Sequence, residues 1–285
     1  MKIYNIILII LGFLLPISSF ASSIELESNM FKKKGVIING DKNYFYHYSP
    51  NLRGNPVRKV IVIFSDKKDD SVNLFNYGNI RTLSEKSNSY ILLLEPEKNE
   101  WSQNSLKDNI ENITKIINFY NINNKKADQY SFLGYKSGGT LMNHYLCNQK
   151  NIEVENVVNL FGGLLNKHCS YKNIKGNYYQ FSSEKDIVSN QNSAYSFNDI
   201  NNKIKSQKNC EDSSWNNITI KESNGVEIIK SDLVCKNNET HIIHYKTDKI
   251  FWVGPTNIGW ENSEKNQYKM FSIEDIFTSK KSLMW

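Results

Sequence analysis

Short apolar stretches that alternate with helical patterns constrain the fold of this chain more than any other feature. Residues 59–64, 90–94, 130–133 and 154–161 form such stretches, and residues 105–121 carry apolar side chains at three- and four-residue spacing. Continuous apolar runs are typical of strands buried on both faces of a parallel sheet, whereas the longer spacing is typical of an amphipathic helix. Strands that alternate with helices predict a doubly wound, mostly parallel α/β sheet with right-handed crossovers.

The remaining segments predict additional strands but no second domain. Further strands are expected at residues 44–48, 178–181 and 240–245, the first being an aromatic run at the outside of the sheet. Residues 256–285 show no clear pattern. Because the sequence contains no internal repeat and no linker that would separate a second unit, we expect residues 22–285 to form a single domain.

The first 21 residues predict a secretory signal peptide. Lys2 provides a short positive start, Ile6 to Leu15 an apolar run, and Ser19-Phe20-Ala21 a small-x-small cleavage site. An uncleaved membrane anchor is the alternative, although the apolar run is short for a membrane span and no second long run follows. We therefore expect an exported protein, periplasmic or extracellular, with no membrane span after cleavage.

Charge and cysteine content narrow the classes of ligand. The formal net charge is +6, but the lysines are dispersed and residues 32–34 form the only tight basic run. A nucleic-acid surface requires a concentrated basic patch, so no nucleic-acid partner is expected. The four cysteines have neither Cys-x-x-Cys nor regular Cys/His spacing, and neither a metal site nor a cofactor is expected. In an exported chain they predict two disulfides, with three pairings open.

Residues 134–140 read Gly-Tyr-Lys-Ser-Gly-Gly-Thr and carry the most specific motif in the chain. The spacing is that of a nucleophile elbow, Gly-x-Ser-x-Gly-Gly, in which a strained strand-to-helix turn exposes a nucleophilic side chain. Lys136 stands at the nucleophile position, and residues 138–149 are expected to form the helix that follows.

The motif and its surroundings resemble a known family. The segments 134–147, 157–163 and 181–186 resemble the elbow, the next strand and the acid-bearing strand end of α/β-hydrolase esterases of the polyhydroxybutyrate depolymerase and feruloyl esterase group. The resemblance spans roughly residues 45–255 and implies an α/β-hydrolase fold. It also implies two cysteine pairs, Cys147 with Cys169 and Cys210 with Cys235.

Position by position, the resemblance implies a degenerate catalytic site. Asp186 falls at the triad acid, Lys136 at the nucleophile, Ile250 at the general-base histidine and Asp66 at the oxyanion loop. The backbone N–H of Ser137 is expected to survive as one oxyanion donor, while a carboxylate at position 66 would repel a developing oxyanion. Loss of one triad member lowers the rate by a factor on the order of 10⁴–10⁶.

Two alternatives remain for the substituted residues. Lys136 is either a substitution tolerated after loss of function, or a partner for Asp186 across the space left by the missing imidazole. Ser137 is the alternative nucleophile, although that use would place bulky Tyr135 where the turn prefers glycine. None of the five histidines, at positions 47, 144, 168, 241 and 244, is expected to act as the base.

The sequence therefore predicts an exported, catalytically inactive, esterase-like protein retained for binding a glycan, a polyester fragment or a protein partner. The alternative is an active carboxylic-ester hydrolase with an unorthodox site around Ser137. An aromatic ligand platform is a weaker hypothesis than ordinary core packing for four tryptophans, Trp101, Trp215, Trp252 and Trp260.

Overall fold

The computed structural model describes most of the chain between residues 23 and 277. The described residues are 23–27, 32–38, 41–50, 58–67, 80–96, 101, 106–124, 127–149, 151–163, 169–183, 197–208, 210, 215–221, 227–235, 241–247, 251–253, 257–261, 267–272 and 277. The predicted signal peptide lies outside these residues, as do Asp186, Ile250 and His168.

Strands make up most of the described structure. They are β1 Ser23–Glu27, β2 Lys32–Ile38, β3 Asp41–Tyr48, β4 Lys59–Phe64, β5 Ser89–Leu94, β6 Gln129–Tyr135, β7 Val154–Leu160, β8 Tyr178–Ser183, β9 Asn216–Lys221, β10 Glu227–Val234, β11 His241–Thr247, β12 Phe251–Val253, β13 Asn257–Glu261 and β14 Gln267–Ser272. The first eleven form one sheet in the order β1-β2-β3-β5-β4-β6-β7-β8-β11-β10-β9.

The six central strands confirm the predicted parallel arrangement. β5, β4, β6, β7, β8 and β11 are successive parallel neighbours. At both edges of the sheet the pairing is antiparallel: β1, β2 and β3 join on one side, and β10 and β9 on the other. The sheet is thus parallel at its centre and antiparallel at both edges.

Four helices are described: α1 Ile80–Ser87, α2 Leu106–Asn124, α3 Ser137–Asn148 and α4 Phe197–Gln207. They cover both faces of the sheet. Side chains on a strand alternate between faces, so alternate residues of one strand show which helices pack on which face. On β4, Val60 and Val62 belong to the cluster that contains the apolar residues of α2, α3 and α4. Ile61 and Ile63 belong to a second cluster with Leu83 of α1. The sheet is therefore doubly wound.

The order of the central strands defines where a site can form. The chain passes from β4 to β5 on one side, and then crosses back to β6 on the other side of β4. Such a reversal opens a crevice at the carboxyl ends of the strands, which is where open α/β sheets bind ligands. β4 ends at Phe64 and β6 at Tyr135, so Asp66 and Lys136 lie at this edge.

Both disulfides implied by the resemblance are present. Cys147 at the end of α3 bonds to Cys169, and Cys210 after α4 bonds to Cys235 after β10. Residues 256–285, which show no clear pattern in the sequence, contain β13 and β14, and these form a three-stranded antiparallel sheet with β12. No helix in the described part of the chain is long and apolar enough to cross a membrane.

We expect each disulfide to contribute about 3 kcal/mol to the free energy of unfolding, because each closes a loop of moderate length in the unfolded chain. The sequence separations are 22 for Cys147–Cys169 and 25 for Cys210–Cys235. The double variants Cys147→Ala/Cys169→Ala and Cys210→Ala/Cys235→Ala test this by urea unfolding without reductant, with the oxidised wild type as reference. Unchanged unfolding midpoints in both would contradict it.

Candidate functional site

The turn between β6 and α3 has the backbone of a nucleophile elbow. Lys136 has φ 47° and ψ −114°, a left-handed conformation that a lysine adopts only under strain. Its N–H donates to the carbonyl of Leu160 on β7 at 2.8 Å, and its carbonyl accepts the N–H of Thr140 at 3.0 Å. These bonds on both sides of the turn hold the strained residue in place.

Glycines permit the close approach that makes the turn possible. A Cβ on Gly134 would lie 2.5 Å from the Cα of Gly139, so strand β6 and helix α3 can pack this closely only because Gly134 has no side-chain carbon. A Cβ on Gly138 would lie 2.3 Å from the carbonyl oxygens of Phe64 and Ser65. The first turn of α3 is therefore packed against the end of β4, beside the loop that carries Asp66.

The Asp66 carboxylate binds the start of α3. Its Oδ1 accepts the backbone N–H of Ser137 at 3.1 Å and lies 2.7 Å from Ser137 Oγ. The same hydroxyl is 2.9 Å from the Asp66 carbonyl. Asp66 is 5% exposed, so this contact is shielded from water. A buried carboxylate on the N–H of a first helical residue is favourable, because helix N-termini carry partial positive charge and unsatisfied donors.

This contact concerns one expectation from the sequence. The Ser137 N–H, expected to remain as an oxyanion donor, is already bonded to Asp66. In an elbow enzyme this N–H stabilises the negative oxygen of a tetrahedral intermediate. Here the Asp66 carboxylate already accepts a hydrogen bond from that N–H. A substrate oxygen would have to displace this charged acceptor and then lie beside it.

Lys136 lies partly buried at the turn, and its Nζ is 5.0 Å from the centroid of the Tyr135 ring. An ammonium at this distance over an aromatic face is stabilised by the ring quadrupole. The hypothesis that Lys136 pairs with Asp186 stays a prediction, because Asp186 lies outside the described residues. The same holds for the role of Ile250 at the histidine position.

The described histidines are located away from the elbow or inside the core. His47 on β3 stacks on Tyr90, and His241 on β11 pairs with Asp232 at 3.3 Å. His144 lies two turns along α3, about 10 Å from its start. Burial lowers the pKa of His144 to about 4, so its imidazole is neutral at pH 7.

A serine–histidine pair that sequence reasoning missed joins β8 and β11. Ser182 Oγ lies 2.6 Å from His244 Nε2, and burial, assisted by Lys246, lowers the pKa of that histidine to about 4. Ser182 is 4% exposed, so a substrate cannot reach it in this conformation. The pair could be predicted from the sequence only if Ser182 and His244 were known to share one face of the sheet. This requires the register between β8 and β11.

A buried amide network fixes the loop after β7 beside the elbow. Asn159 Nδ2 donates to the Gly162 carbonyl at 2.8 Å, and Asn159 Oδ1 accepts the Gly162 N–H at 3.0 Å. Asn143 of α3 donates to the Gly163 carbonyl at 2.8 Å, while Thr140 accepts the Gly163 N–H at 2.9 Å. The wall of the crevice on this side is thus rigidly bonded to α3.

The tryptophans whose side chains the structure describes do not form a ligand-binding platform. Trp101 donates its indole N–H to the Ser65 carbonyl at 2.6 Å and packs against the core, as does Trp215. Trp252 and Trp260 lie on paired strands, and their side chains are outside the described set. Within the described residues no group of histidine, cysteine, aspartate or glutamate could hold a metal ion.

Comparisons with known proteins find similar chain paths among esterases. No protein-family model matches this chain, and no curated protein matches it. An acetyl xylan esterase from Aspergillus awamori is 12% identical, with a TM-score of 0.46 over 71% of this chain and 87% of the other. A carboxylesterase from Mesorhizobium loti is 11% identical, with a TM-score of 0.38 over 56% and 76%.

A cold-adapted esterase from an Arctic intertidal metagenomic library is 10% identical, with a TM-score of 0.41 over 57% of this chain and 77% of the other.

Replacing Asp66 should destabilise the start of α3. We expect Asp66→Ala to lower the free energy of unfolding by about 1–3 kcal/mol, because the Ser137 N–H and hydroxyl lose their acceptor in a buried place. Asp66→Asn keeps an oxygen acceptor and should lose less. Asp108→Ala, at an exposed position in the first turn of α2, is the matched control and should cost less than about 1 kcal/mol.

Stability should fall as the pH drops from 6.5 towards 4. His144 and His244 have folded pKa values of about 4, below the ordinary histidine pKa of 6.5, so the unfolded chain binds more protons in this window. Each histidine should therefore remove about 2 kcal/mol of stability between pH 7.5 and pH 5. Urea unfolding at both pH values tests this, and His144→Leu should reduce the difference. An identical pH difference in that variant would contradict the assignment.

Proposed function

We propose that this chain is an exported α/β-hydrolase-like protein, a single domain, that binds a ligand or partner at its elbow crevice and does not turn over esters. One observation carries the proposal: the Asp66 carboxylate occupies the backbone N–H of Ser137. The two disulfides support the assignment to an oxidising compartment outside the cytoplasm.

The inactivity follows from the charge and chemistry of the elbow. An oxyanion hole works by presenting preorganised donors to negative charge that develops in the transition state. A carboxylate that already accepts from the donor N–H repels this developing negative charge instead of stabilising it. Lys136 at the nucleophile position does not rescue turnover, because acyl transfer to an amine gives a stable amide. Ile250 stands where the resemblance places the general-base histidine, so this position provides no imidazole.

What remains at the crevice suits binding. Tyr135 provides an aromatic face at the end of β6, and the Lys136 ammonium lies over that ring. A cation beside an aromatic ring favours a ligand with an anionic group and a flat apolar surface. A glycan with an acidic group, a polyester fragment with a free carboxylate, or an acidic protein segment meets this description, and we expect the ligand to belong to one of these classes.

The alternative, an active carboxylic-ester hydrolase, has one contact in its favour. Ser137 Oγ lies 2.7 Å from Asp66 Oδ1, within hydrogen-bond reach of a carboxylate. In that alternative Ser137 attacks and Asp66 takes its proton. The same carboxylate, however, places negative charge beside Ser137, close to where the oxyanion of the intermediate would develop, and this is why we favour the inactive assignment.

A fluorophosphonate probe and a simple acyl ester test the proposal together. We expect no labelling of the purified wild type and no multiple-turnover hydrolysis above that of a Ser137→Ala variant. Lys136→Ser should also stay inactive, because position 250 remains isoleucine and Asp66 remains on the donor. A known serine esterase serves as the positive control for the reagents.

Turnover in the wild type that disappears in Ser137→Ala, with circular dichroism unchanged, would overturn the proposal and establish the alternative. Turnover that persists in Ser137→Ala but disappears in Lys136→Ala would also overturn it. Labelling that maps to Ser182 would place activity at a different pair of residues and would equally contradict an inactive protein.

A further inference from the structure

A pocket of about 150 Å³ lies at the amino ends of the central strands, at the edge of the sheet opposite the elbow. It lies on the α1 side of the sheet, where Ser87 and Ser89 form part of its wall. Its lining comes from β4, β5, β6 and β7, from the end of α1 and from Phe277. Ligand crevices of doubly wound sheets form at the carboxyl ends of the strands, so this pocket is unrelated to the elbow.

Polar residues occupy core-facing positions at this end of the strands. Further along the same face, Ile61, Leu133 and Val158 belong to the apolar cluster beneath α1. Two residues earlier on β6 and β7, the same face presents Ser131 and Asn156 instead, and both line the pocket. Central parallel strands are normally apolar on both faces, so polar side chains here carry a cost unless something satisfies them.

Gln129, which lines the pocket, carries one buried acceptor that lacks a donor. Its Oε1 atom is shielded from solvent and has no hydrogen-bond partner within the described structure. Ser131, its neighbour on the same face, is only 9% exposed and lines the same pocket. An unsatisfied buried oxygen costs about 1–3 kcal/mol, so rotation of the Gln129 side chain towards a bound donor would recover free energy.

Opposite charges stand on two sides of the pocket. Lys59 on β4 pairs in register with Gln129 on β6, and Glu155 lies on the next strand at the irregularity where Ser131 pairs with Asn156. The backbones of Lys59 and Glu155 are two strand spacings apart, about 10 Å, and neither residue belongs to an ion pair among the described residues. Lys86 at the end of α1 also lines the pocket. The pocket thus offers a cation from β4 and an anion from β7.

We infer that this pocket binds a small zwitterion that carries a primary ammonium group and a carboxylate, of the size of a short amino acid. The ammonium group donates to Glu155 and to the Gln129 Oε1 atom. The carboxylate accepts from Lys59, with the Ser131 hydroxyl available as a second donor. A cavity of this volume holds a molecule of about six non-hydrogen atoms, the size of benzene, which matches a chain with a charge at each end.

Binding of 4-aminobutanoate to the full chain tests the inference, with butanoate and butylamine as singly charged controls. Titration calorimetry and amide chemical shifts should show 4-aminobutanoate binding at least about tenfold more tightly than either control, because each control lacks one charge-assisted contact. Equal affinity for butanoate or butylamine, or no binding of 4-aminobutanoate at millimolar concentration, would overturn the inference.

Variants at the two ends of the pocket assign the binding to it. Lys59→Gln and Glu155→Gln should each weaken 4-aminobutanoate binding by about tenfold. Lys115→Gln and Glu111→Gln are the matched controls, because these residues form an ion pair on the surface of α2. They should leave the affinity unchanged. Equal effects from the pocket pair and the surface pair would overturn the assignment.

Gln129→Leu separates ligand binding from a purely structural role. This variant removes the unsatisfied oxygen with little change of volume, so the protein should be at least as stable as the wild type in urea while 4-aminobutanoate binding is weakened about tenfold. Full binding in a stable Gln129→Leu variant would contradict the role given to Gln129. Because the pocket and the elbow lie at opposite edges of the sheet, these results are independent of any esterase assay.

Discussion

The contact between the Asp66 carboxylate and the first N–H of α3 determines what the elbow of this protein can do. It exists because Gly138 lets α3 begin against the carbonyls of Phe64 and Ser65, which brings the loop after β4 over the helix start. The carboxylate satisfies the Ser137 donors and complements the helix dipole. In the function that we propose, the same charge occupies the place where an esterase receives a substrate oxygen, so this stabilising interaction takes the place of a catalytic one.

The elbow is strained although the side chain at its apex is that of a lysine. Lys136 keeps a left-handed backbone conformation, at a cost of about 1–3 kcal/mol. Its hydrogen bond to Leu160 and the amide network around Asn159 hold the turn in place. Such a conformation persists only where its surroundings determine it. In this account the geometry is maintained by the packing of β6, β7 and α3, and it now presents an ammonium group to the crevice.

Sequence patterns predicted the centre of the sheet well because strands such as β4 are continuously apolar. They missed β9 and β10, whose polar and apolar residues are mixed as in a loop, and α4, where few apolar residues mark the buried side. The motif located Lys136, Ser137 and Asp66 at one edge. It could not predict that Asp66 binds the Ser137 N–H, since the direction of a loop side chain depends on tertiary contacts. The polar pocket could not be predicted from the sequence either, because recognising it requires knowing which residues of neighbouring strands pair.

The amide proton of Ser137, compared by NMR between the wild type and Asp66→Ala, tests the central claim most directly. If the Asp66 carboxylate accepts this N–H, the Ser137 amide resonance should lie far downfield in the wild type and move upfield in Asp66→Ala. A Ser137 amide shift that is unchanged in Asp66→Ala would show that the donor is free for a substrate oxygen, and the proposal for the elbow would be wrong.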